Sequence, residues 1–253
     1  MRIAVAGGTG VVGRHVVDAV IARGHESVVL SRGRGVDLAS GAGLAAALDG
    51  VDAVIDVANI TTMRARAAVS WFETETTHLL AAAARAGVGH LVALSIIGID
   101  RVALGYYAGK QRQEELVLAP NAAVPTSVLR ATQFHEFAGQ ILARLRGPIA
   151  TIPIMRSQPI AAREVGVALV DLACGPAAGM APELAGPQPE EMPDMARRYL
   201  PARGSRRPVL AVRMPGRAGK AAASGALLPA DPGPRGVQTF EQWLHGPDAP
   251  ARG

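Results

Sequence analysis

Residues 2–13 read RIAVAGGTGVVG, and this stretch decides the fold. Its first five residues form an apolar run of strand length, and a helical pattern begins directly after the glycines. Glycines between a strand and a helix allow a tight turn and close packing, which the first unit of a Rossmann-type fold requires. The chain is therefore predicted to begin with a strand, a glycine turn and a helix.

The alternation of strand and helix patterns continues through the first half of the chain. Apolar runs predict strands near residues 2–6, 27–31, 52–57, 90–95 and 125–130. Helical periodicity predicts helices near residues 11–23, 41–49, 63–87 and 106–119, and then 133–146 and 164–174 around a short apolar segment at 149–154. Gly24, Gly50 and Gly87 lie where three of these helices are predicted to end. Repeated units of this kind build an α/β protein with a doubly wound parallel sheet, the Rossmann architecture.

The chain has 253 residues, of which 49% are hydrophobic, and this is enough to bury one sizeable core. We predict a single domain spanning residues 1–253, in which residues 135–245 contribute a small substrate lobe. Two apolar pieces, PVLAV at 208–212 and FEQWL at 240–244, indicate that this lobe is packed and not disordered. Residues 246–253 are predicted to form a loose tail.

The composition narrows the cellular setting and the partners. Cys174 is the only cysteine, which excludes an intramolecular disulfide or multi-cysteine zinc site and fits a reducing cytoplasm. The N-terminal apolar run is too short for a signal peptide, and no apolar stretch can span a bilayer. Arginines crowd residues 197–217, but aromatic residues are scarce there and no nucleic-acid motif appears. We expect a cytoplasmic monomer or homodimer acting on a small molecule, without nucleic acid, membrane or metal.

The glycine turn predicts a dinucleotide site. Gly7 allows the tight turn, Gly10 allows the close approach of a pyrophosphate, and Gly13 allows the helix to pack on the strand. The first-turn N–H groups and the helix dipole then hold the phosphate charge. The residues predicted to contact the cofactor here are Gly7, Thr9, Gly10, Val11, Val12 and Gly13.

The end of the second predicted strand favours NADP(H) over NAD(H). Many NAD-binding proteins place a carboxylate there to bind the ribose 2′-hydroxyl, but this chain has Ser31 and Arg32, followed by Gly33 and Arg34. A guanidinium at this position can pair with the 2′-phosphate. The alternative is that Arg32 is one of many arginines on a solvated loop.

The spacing of the glycines between residues 7 and 13, G-G-T-G-x-x-G, resembles the extended and atypical branches of the short-chain dehydrogenase/reductase superfamily. Residues 106–115 and residues 129–137, which read LRATQFHEF, resemble the NmrA-like group of atypical NAD(P)H-binding proteins. The resemblance covers residues 1–175 and is looser thereafter. It implies that Asp37 and Leu38 touch the adenine ring.

The resemblance implies further roles along the site. Ala58 and Asn59, which end the third strand, would lie near the second ribose. Phe134 and His135 would line the nicotinamide end of the cleft, with His135 as a wall of the substrate pocket. For His135 a purely structural role is the competing interpretation.

Tyr106 and Lys110 form a Y-x-x-x-K pair in a chain with only three tyrosines and two lysines. This spacing puts a phenol and an ammonium on one helical face, where the cation is expected to lower the tyrosine pKa and assist proton transfer. In the resembled superfamily the lysine also binds the nicotinamide ribose, and Ser95 takes the place of the serine that polarises the substrate. The alternatives are that adjacent Tyr107 acts instead, or that Lys110 binds cofactor without any proton transfer.

These features predict an NADP(H)-dependent oxidoreductase that transfers hydride to a carbonyl, quinone or enone-type small molecule. The rival hypothesis is a non-enzymatic, NmrA-like redox sensor whose cofactor occupancy changes its binding to a protein partner. An epimerase or dehydratase with tightly held NAD fits Arg32 and a small lobe less well.

Overall fold

The computed structural model describes residues 1–250. The strands are β1 (Arg2–Ala6), β2 (Glu26–Leu30), β3 (Ala53–Asp56), β4 (His90–Ile96), β5 (Thr126–Ala131), β6 (Ala150–Pro153), β7 (Arg156–Ser157), β8 (Gly179–Met180), β9 (Glu190–Glu191) and β10 (Val209–Val212). The helices are α1 (Val11–Ala22), α2 (Leu44–Ala47), α3 (Ala65–Ala86), α4 (Gly105–Val117), α5 (Phe137–Arg144), α6 (Ala162–Cys174), α7 (Met192–Ala202), α8 (Gly216–Ala223) and α9 (Phe240–Leu244).

The chain divides into two compact units. Unit 1 comprises Met1–Ile96, Leu104–Arg130 and Arg163–Pro182, and unit 2 comprises Ile97–Ala103, Ala131–Ala162 and the described residues from Glu183 on. The predicted lobe at 135–245 overlaps unit 2, but residues 163–182 belong to unit 1. Residues 163–174 of α6 belong to unit 1 because α6 packs directly on α1. Gly166 permits this contact, since a Cβ there would lie 2.9 Å from the carbonyl carbon of His15. One domain with a substrate lobe stays a prediction.

Unit 1 contains the parallel sheet that the alternating pattern predicts. It has six strands in the order β2-β1-β3-β4-β5-β8, of which the sequence analysis predicted the first five but not β8. Strand order reverses between β1 and β3, and ligands of doubly wound sheets bind at the carboxyl edge beside such a reversal. Ala6 pairs with Leu30 on one side and with Asp56 on the other. The residues that follow these three strands therefore share that edge.

The parallel sheet is apolar along its central strands. Ile3, Ala4 and Val5 of β1 are completely buried, as are Val54 and Ile55 of β3. Strands covered by helices on both faces read as continuous apolar runs, which is why the sequence revealed them so readily. The Rossmann fold class predicted from the sequence is confirmed.

Two helices are shorter than predicted. The helix predicted at 41–49 is only the single turn α2, because Gly43 precedes it with a φ of 77° and packs where a Cβ would lie 2.2 Å from the carbonyl oxygen of Gly35. The helix predicted at 133–146 begins only at Phe137. Before it, the N–H of His135 donates to the carbonyl of Ile160 at 3.0 Å, which extends the backbone there.

Unit 2 has two small sheets, with β6 and β10 parallel and β7 and β9 antiparallel. The two predicted apolar pieces form β10 and α9. Trp243 and Phe240 of α9 are fully buried and stack at 5.7 Å between ring centroids, and the ring of Tyr199 also stacks on Trp243, at 6.5 Å. An aromatic cluster therefore organises the core of this unit.

No helix in residues 1–250 is long and apolar enough to cross a membrane. Of the predicted tail at 246–253, residues 251–253 lie outside the described residues. The N–H of Gly246 donates to the carbonyl of Trp243 at 2.9 Å, so the start of this segment is attached to α9.

Helices α3 and α4 pack at unusually short range in unit 1. A Cβ at Gly109 would lie 2.6 Å from Cδ2 of Phe72 and 2.8 Å from the backbone of Ala68. Any side chain larger than hydrogen at position 109 would push α4 away from α3. This contact matters because α4 carries Tyr106 and Lys110.

We predict that Gly109→Ala destabilises the protein. Alanine normally stabilises a helix by about 1 kcal/mol over glycine, but the overpacked contact costs about 1–3 kcal/mol, so we expect the free energy of unfolding to fall. Urea unfolding followed by circular dichroism measures it. Gly33→Ala is the control, because a Cβ at Gly33 meets no atom within 4 Å. Equal stability of Gly109→Ala and wild type would contradict the close packing of α3 on α4.

Candidate active site

The glycine turn connects β1 to α1 through backbone positions that only glycine fits. Gly7 has a φ of 76°, and the N–H of Gly10 donates to its carbonyl oxygen at 2.9 Å. A Cβ at Gly13 would lie 2.0 Å from that same oxygen, so any other residue would force α1 off the strand. Gly7 and Gly13 thus have the backbone roles that the sequence predicted for them.

The first turn of α1 is suited to an anion. Gly10 is the N-cap, no side chain caps the helix, and its first turn contains no acidic residue. Thr9 and Gly10 are exposed, Val11 is half-buried, and the side chain of Val12 belongs to the core. Uncapped N–H groups at a helix start bind phosphate well, so a dinucleotide pyrophosphate fits this turn.

The end of β2 presents unpaired positive charge. Ser31 precedes a short 3₁₀ turn, Arg32–Arg34, in which both arginines are exposed. Within residues 1–250, no ion pair or side-chain hydrogen bond involves Arg32 or Arg34. Their guanidinium groups are therefore available to a ligand at this edge of the sheet.

Asp37 and Leu38 follow this turn and are both half-buried. Asp37 accepts a hydrogen bond from the N–H of Ala39 at 2.9 Å, which is a local turn. The side chain of Leu38 packs against the core, and its carbonyl oxygen is 3.0 Å from Nδ1 of His78. The pair is thus held in place from α3, and its contact with adenine stays a prediction.

The end of β3 lies directly against the glycine turn. A Cβ at Gly7 would be 2.7 Å from Cα of Ala58, so the two segments touch through their backbones. Ala58 is buried, whereas Asn59 is exposed. The structure therefore brings together the turn after β1 and the segment after β3, and the contact of Ala58 and Asn59 with the second ribose stays a prediction.

Tyr106 reaches the same edge from the start of α4. Its phenol donates a hydrogen bond to Oδ1 of Asn59 at 2.8 Å, and its ring meets Phe72 edge to face at 5.8 Å. Burial raises the pKa of Tyr106, and Tyr107 and Asp56 act in the same direction. The expectation that Lys110 lowers this pKa is wrong for this structure, because burial dominates and Lys110 bonds to other groups.

Lys110 is buried, and its ammonium points into unit 1. Nζ donates to the carbonyl oxygen of Leu94 at 2.8 Å and to Oε1 of Gln113 at 2.7 Å, and it lies 4.5 Å from the centre of the Phe72 ring. Burial lowers the pKa of Lys110, and Asp56, Glu75 and Glu114 oppose that change. The lysine is therefore held by β4 and by its own helix.

Ser95 follows Leu94 near the carboxyl end of β4. It is only 2% exposed, and its hydroxyl has no hydrogen-bond partner among residues 1–250. A buried hydroxyl without a partner is unfavourable unless a ligand or water completes it. The role of polarising an acceptor oxygen, which the resemblance implied for Ser95, stays a prediction.

The sequence analysis missed two buried acids and an amide around Lys110. The N–H of Ala58 donates to Oδ1 of Asp56 at 2.9 Å, and Nε2 of Gln113 donates to Oδ2 of Asp56 at 2.7 Å and to Oε1 of Glu75 at 3.1 Å. One signal could have revealed Glu75, because it falls on the apolar stripe of α3 between Phe72 and Leu79.

Burial dominates the electrostatics of this cluster. It raises the pKa of Glu75 well above its usual value, with the neighbouring charge of Asp56 adding to the effect. Burial also raises the pKa of Asp56, while Lys110 and the hydrogen bonds from Ala58 and Gln113 lower it. Two buried carboxyl groups thus compete for one ammonium.

Phe134 and His135 belong to unit 2, whereas every other candidate residue belongs to unit 1. His135 is completely buried between Phe240 and Trp243, with Nε2 2.9 Å from the carbonyl oxygen of Gln238. Burial lowers the pKa of His135 to about 4, so the ring is neutral near pH 7. Phe134 is half-buried, and the proposed contact of both residues with substrate stays a prediction.

Comparison with known proteins supports the dinucleotide-binding interpretation of the first half. Residues 3–96 match the model of the NAD dependent epimerase/dehydratase family. A curated relative from Streptomyces griseus subsp. griseus, (4-alkanoyl-5-oxo-2,5-dihydrofuran-3-yl)methyl phosphate reductase, is 35% identical over 145 residues. That match covers 52% of this chain and 48% of the relative, so it spans about half of each protein.

Solved structures share the fold over nearly the whole chain. The UDP-glucose-4-epimerase of Stenotrophomonas maltophila, with bound NAD and formylated UDP-arabinopyranose, is 18% identical with a TM-score of 0.74, and 96% of each chain is covered. A short-chain dehydrogenase/reductase superfamily protein of Agrobacterium tumefaciens with bound NAD is 19% identical with a TM-score of 0.68, covering 96% of this chain and 95% of that one. Residues 3–96 are thus similar to the NAD dependent epimerase/dehydratase family, and the solved structures share the fold. The assignment to the extended and atypical branches of the short-chain dehydrogenase/reductase superfamily, and to their NmrA-like group, stays a prediction.

Proposed function

We propose that this protein is an NADP(H)-dependent oxidoreductase that transfers hydride to a carbonyl, quinone or enone-type small molecule. The observation that carries the proposal is the hydrogen bond from Tyr106 to Asn59. Asn59 follows β3, and its neighbour Ala58 touches Gly7 of the glycine turn. These contacts support Tyr106 as the proton donor, because they link it through Asn59 and Ala58 to the predicted cofactor turn at the strand-order reversal, where doubly wound folds bind ligands.

The cofactor preference rests on charge. The uncapped start of α1 suits the pyrophosphate, and exposed, unpaired Arg32 suits the extra phosphate of NADP. No carboxylate stands beside Arg32 to bind a ribose 2′-hydroxyl. When bound, the nicotinamide supplies or accepts the hydride, and the protein orients the reacting groups.

In this proposal, Tyr106 and Ser95 both form hydrogen bonds to the acceptor oxygen of the substrate. The phenol of Tyr106 is protonated at neutral pH, and we propose that it donates this proton as charge develops on the substrate oxygen. In the structure this proton is donated to Oδ1 of Asn59, so the step requires the hydrogen bond to Asn59 to be exchanged for one to the substrate oxygen. The partnerless hydroxyl of Ser95 completes its hydrogen bonding on the same oxygen.

We infer the chemical class of the hydride acceptor from the relative and from the site. The Streptomyces griseus relative is a reductase whose name describes a methyl phosphate of a dihydrofuran ring that carries oxo and alkanoyl groups. A small conjugated carbonyl compound is the acceptor that we propose for this chain. We place the activity in the cytoplasm, in a monomer or homodimer.

A second candidate, a non-enzymatic redox sensor, is favoured by one observation. Two N–H groups of the Lys110 ammonium bind Leu94 and Gln113 in the interior of unit 1. A protein that only binds cofactor needs neither a free ammonium nor a proton donor. Turnover separates the two candidates, because a sensor binds NADPH tightly without oxidising it in the presence of carbonyls or quinones.

We predict selective NADPH binding that depends on Arg32. Arg32→Glu should weaken NADPH binding by about tenfold or more, because a charged hydrogen-bonded pair is lost, and should change NADH binding far less. Calorimetry with both nucleotides measures the effect. Arg85→Glu is the matched control, since Arg85 is also exposed in unit 1 but lies at the opposite end of α3 from the sheet edge. If the wild type bound neither nucleotide at millimolar concentration, the proposed function would be wrong.

We predict that Tyr106→Phe lowers the turnover number by about 100-fold, because general acid catalysis contributes at least that much. NADPH binding should be nearly unchanged. The measurement is NADPH oxidation at saturating acceptor, after a screen of aldehydes, ketones, quinones and enones. Tyr107→Phe is the matched control, and a large loss there with full activity in Tyr106→Phe would transfer the donor role to Tyr107.

A further inference from the structure

The ammonium of Lys110 has no direct ion pair, although two buried acids lie close to it. Within residues 1–250 its hydrogen bonds go to the carbonyl of Leu94 and to Gln113, and no carboxylate forms an ion pair with it. Lys110 is 4% exposed, Asp56 1% and Glu75 0%. A charged group this deeply buried is costly unless other charges and hydrogen bonds compensate it.

Gln113 connects the three ionisable side chains. Its carbonyl oxygen accepts from Nζ of Lys110, and its NH₂ group donates to Asp56 and Glu75. An amide has one accepting end and one donating end, so its orientation follows from these partners. The amide therefore joins the positive and negative parts of the cluster without being charged itself.

The balance of charges in this cluster predicts that the two acids together carry one proton. Asp56 comes from β3, Glu75 from α3, and Lys110, Tyr106 and Glu114 from α4. Glu114 is already neutralised by Arg130 of β5, whose Nε and Nη2 donate to its two oxygens at 2.8 Å and 2.6 Å. One positive charge therefore remains for two carboxyl groups, and repulsion between two buried carboxylates favours keeping one of them protonated.

We propose that Asp56 and Gln113 are the positioning residues of Lys110, with Asp56 supplying its counter-charge through the Gln113 amide and Glu75 present as a neutral carboxylic acid. The assignment deepens the proposed function, because it names the groups that keep the lysine of the Tyr106–Lys110 pair charged and oriented. Asp56 is the ionised acid because each of its two oxygens accepts a hydrogen bond from an N–H donor, whereas the two hydrogen bonds to Glu75, from Thr76 and Gln113, both reach Oε1. Oε2 of Glu75 has no partner among residues 1–250, which suits a protonated oxygen better than a charged one.

The neutral state of Glu75 predicts how stability depends on pH. Because its folded pKa is raised above the usual value of 4.5, its contribution is fully present below that value and is lost as the pH rises through the folded pKa. Glu75→Gln keeps the shape and removes the titration. Relative to wild type, this variant should gain stability progressively as the pH rises.

Urea unfolding of wild type and Glu75→Gln over about pH 5 to 9 measures this difference. Glu73→Gln is the matched control, since Glu73 lies on the same helix but pairs at the surface with Arg112. A constant difference between Glu75→Gln and wild type across the range would mean that Glu75 is ionised, and would overturn the assignment.

The decisive experiment titrates Lys110 directly in the protein without cofactor. The chain has two lysines, Lys110 and Lys220, so ¹³C-labelling of lysine gives two Cε signals in the NMR spectrum. Asp56→Asn should lower the pKa of Lys110 by about 1 or more, because the counter-charge is lost. Glu75→Gln should change it little, and Gln113→Glu should raise it. The signal of Lys220 is the internal reference in every variant.

A double variant keeps the test informative if Asp56→Asn does not fold. In Asp56→Asn with Gln113→Glu, the negative charge moves to position 113 and the new amide at position 56 can donate to it, so the Lys110 pKa should return to at least its wild-type value. The proposal would be overturned if the Lys110 pKa were the same as in wild type in Gln113→Glu and the same as in Asp56→Asn in the double variant. It would also be overturned if the Lys110 pKa fell in Glu75→Gln. Because no cofactor or acceptor is used, these results are independent of whether the proposed reductase activity is found.

Discussion

The close contact between the start of α1 and the end of β1 is the constraint on which the site depends. Gly13 lies so near the carbonyl oxygen of Gly7 that no Cβ fits between them, and Gly7 in turn lies against Ala58. These contacts align the first turn of α1 with the carboxyl edge of the sheet. The N–H groups that can hold a phosphate are thereby placed beside the segment that carries Asn59.

A second constraint lies between α3 and α4, where helix packing and charge burial are coupled. Gly109 brings α4 against Phe72 and Ala68, and this close approach buries the side chain of Lys110 one residue further along. A buried ammonium needs compensation, which Leu94 and Gln113 provide by hydrogen bonds and the nearby acids provide by charge. The glycine that permits the packing thus also creates the need for the polar cluster.

The fold alone does not decide the chemistry, because enzymes of different reaction types share it. The structural neighbours include a UDP-glucose-4-epimerase, while the Streptomyces griseus relative is a reductase. In this chain the side chains that bear on the chemistry are a small set in unit 1: unpaired Arg32, Tyr106 hydrogen-bonded to Asn59, and Ser95 with its partnerless hydroxyl. These groups, and not the fold, determine which reaction the protein can catalyse.

The sequence by itself determined the fold class, the five strands of the first half and the glycine turn. Buried parallel strands and glycine-dependent turns are encoded by local composition, so their residues can be recognised one segment at a time. Only the tertiary structure decided the surroundings of Tyr106 and Lys110, whose helical spacing had suggested a phenol activated by an ammonium. The pKa of the phenol is raised instead, and the ammonium binds the carbonyl oxygen of Leu94, because burial and partners from β3, β4 and α3 control both groups. Those partners are distant in sequence, and only folding brings them together.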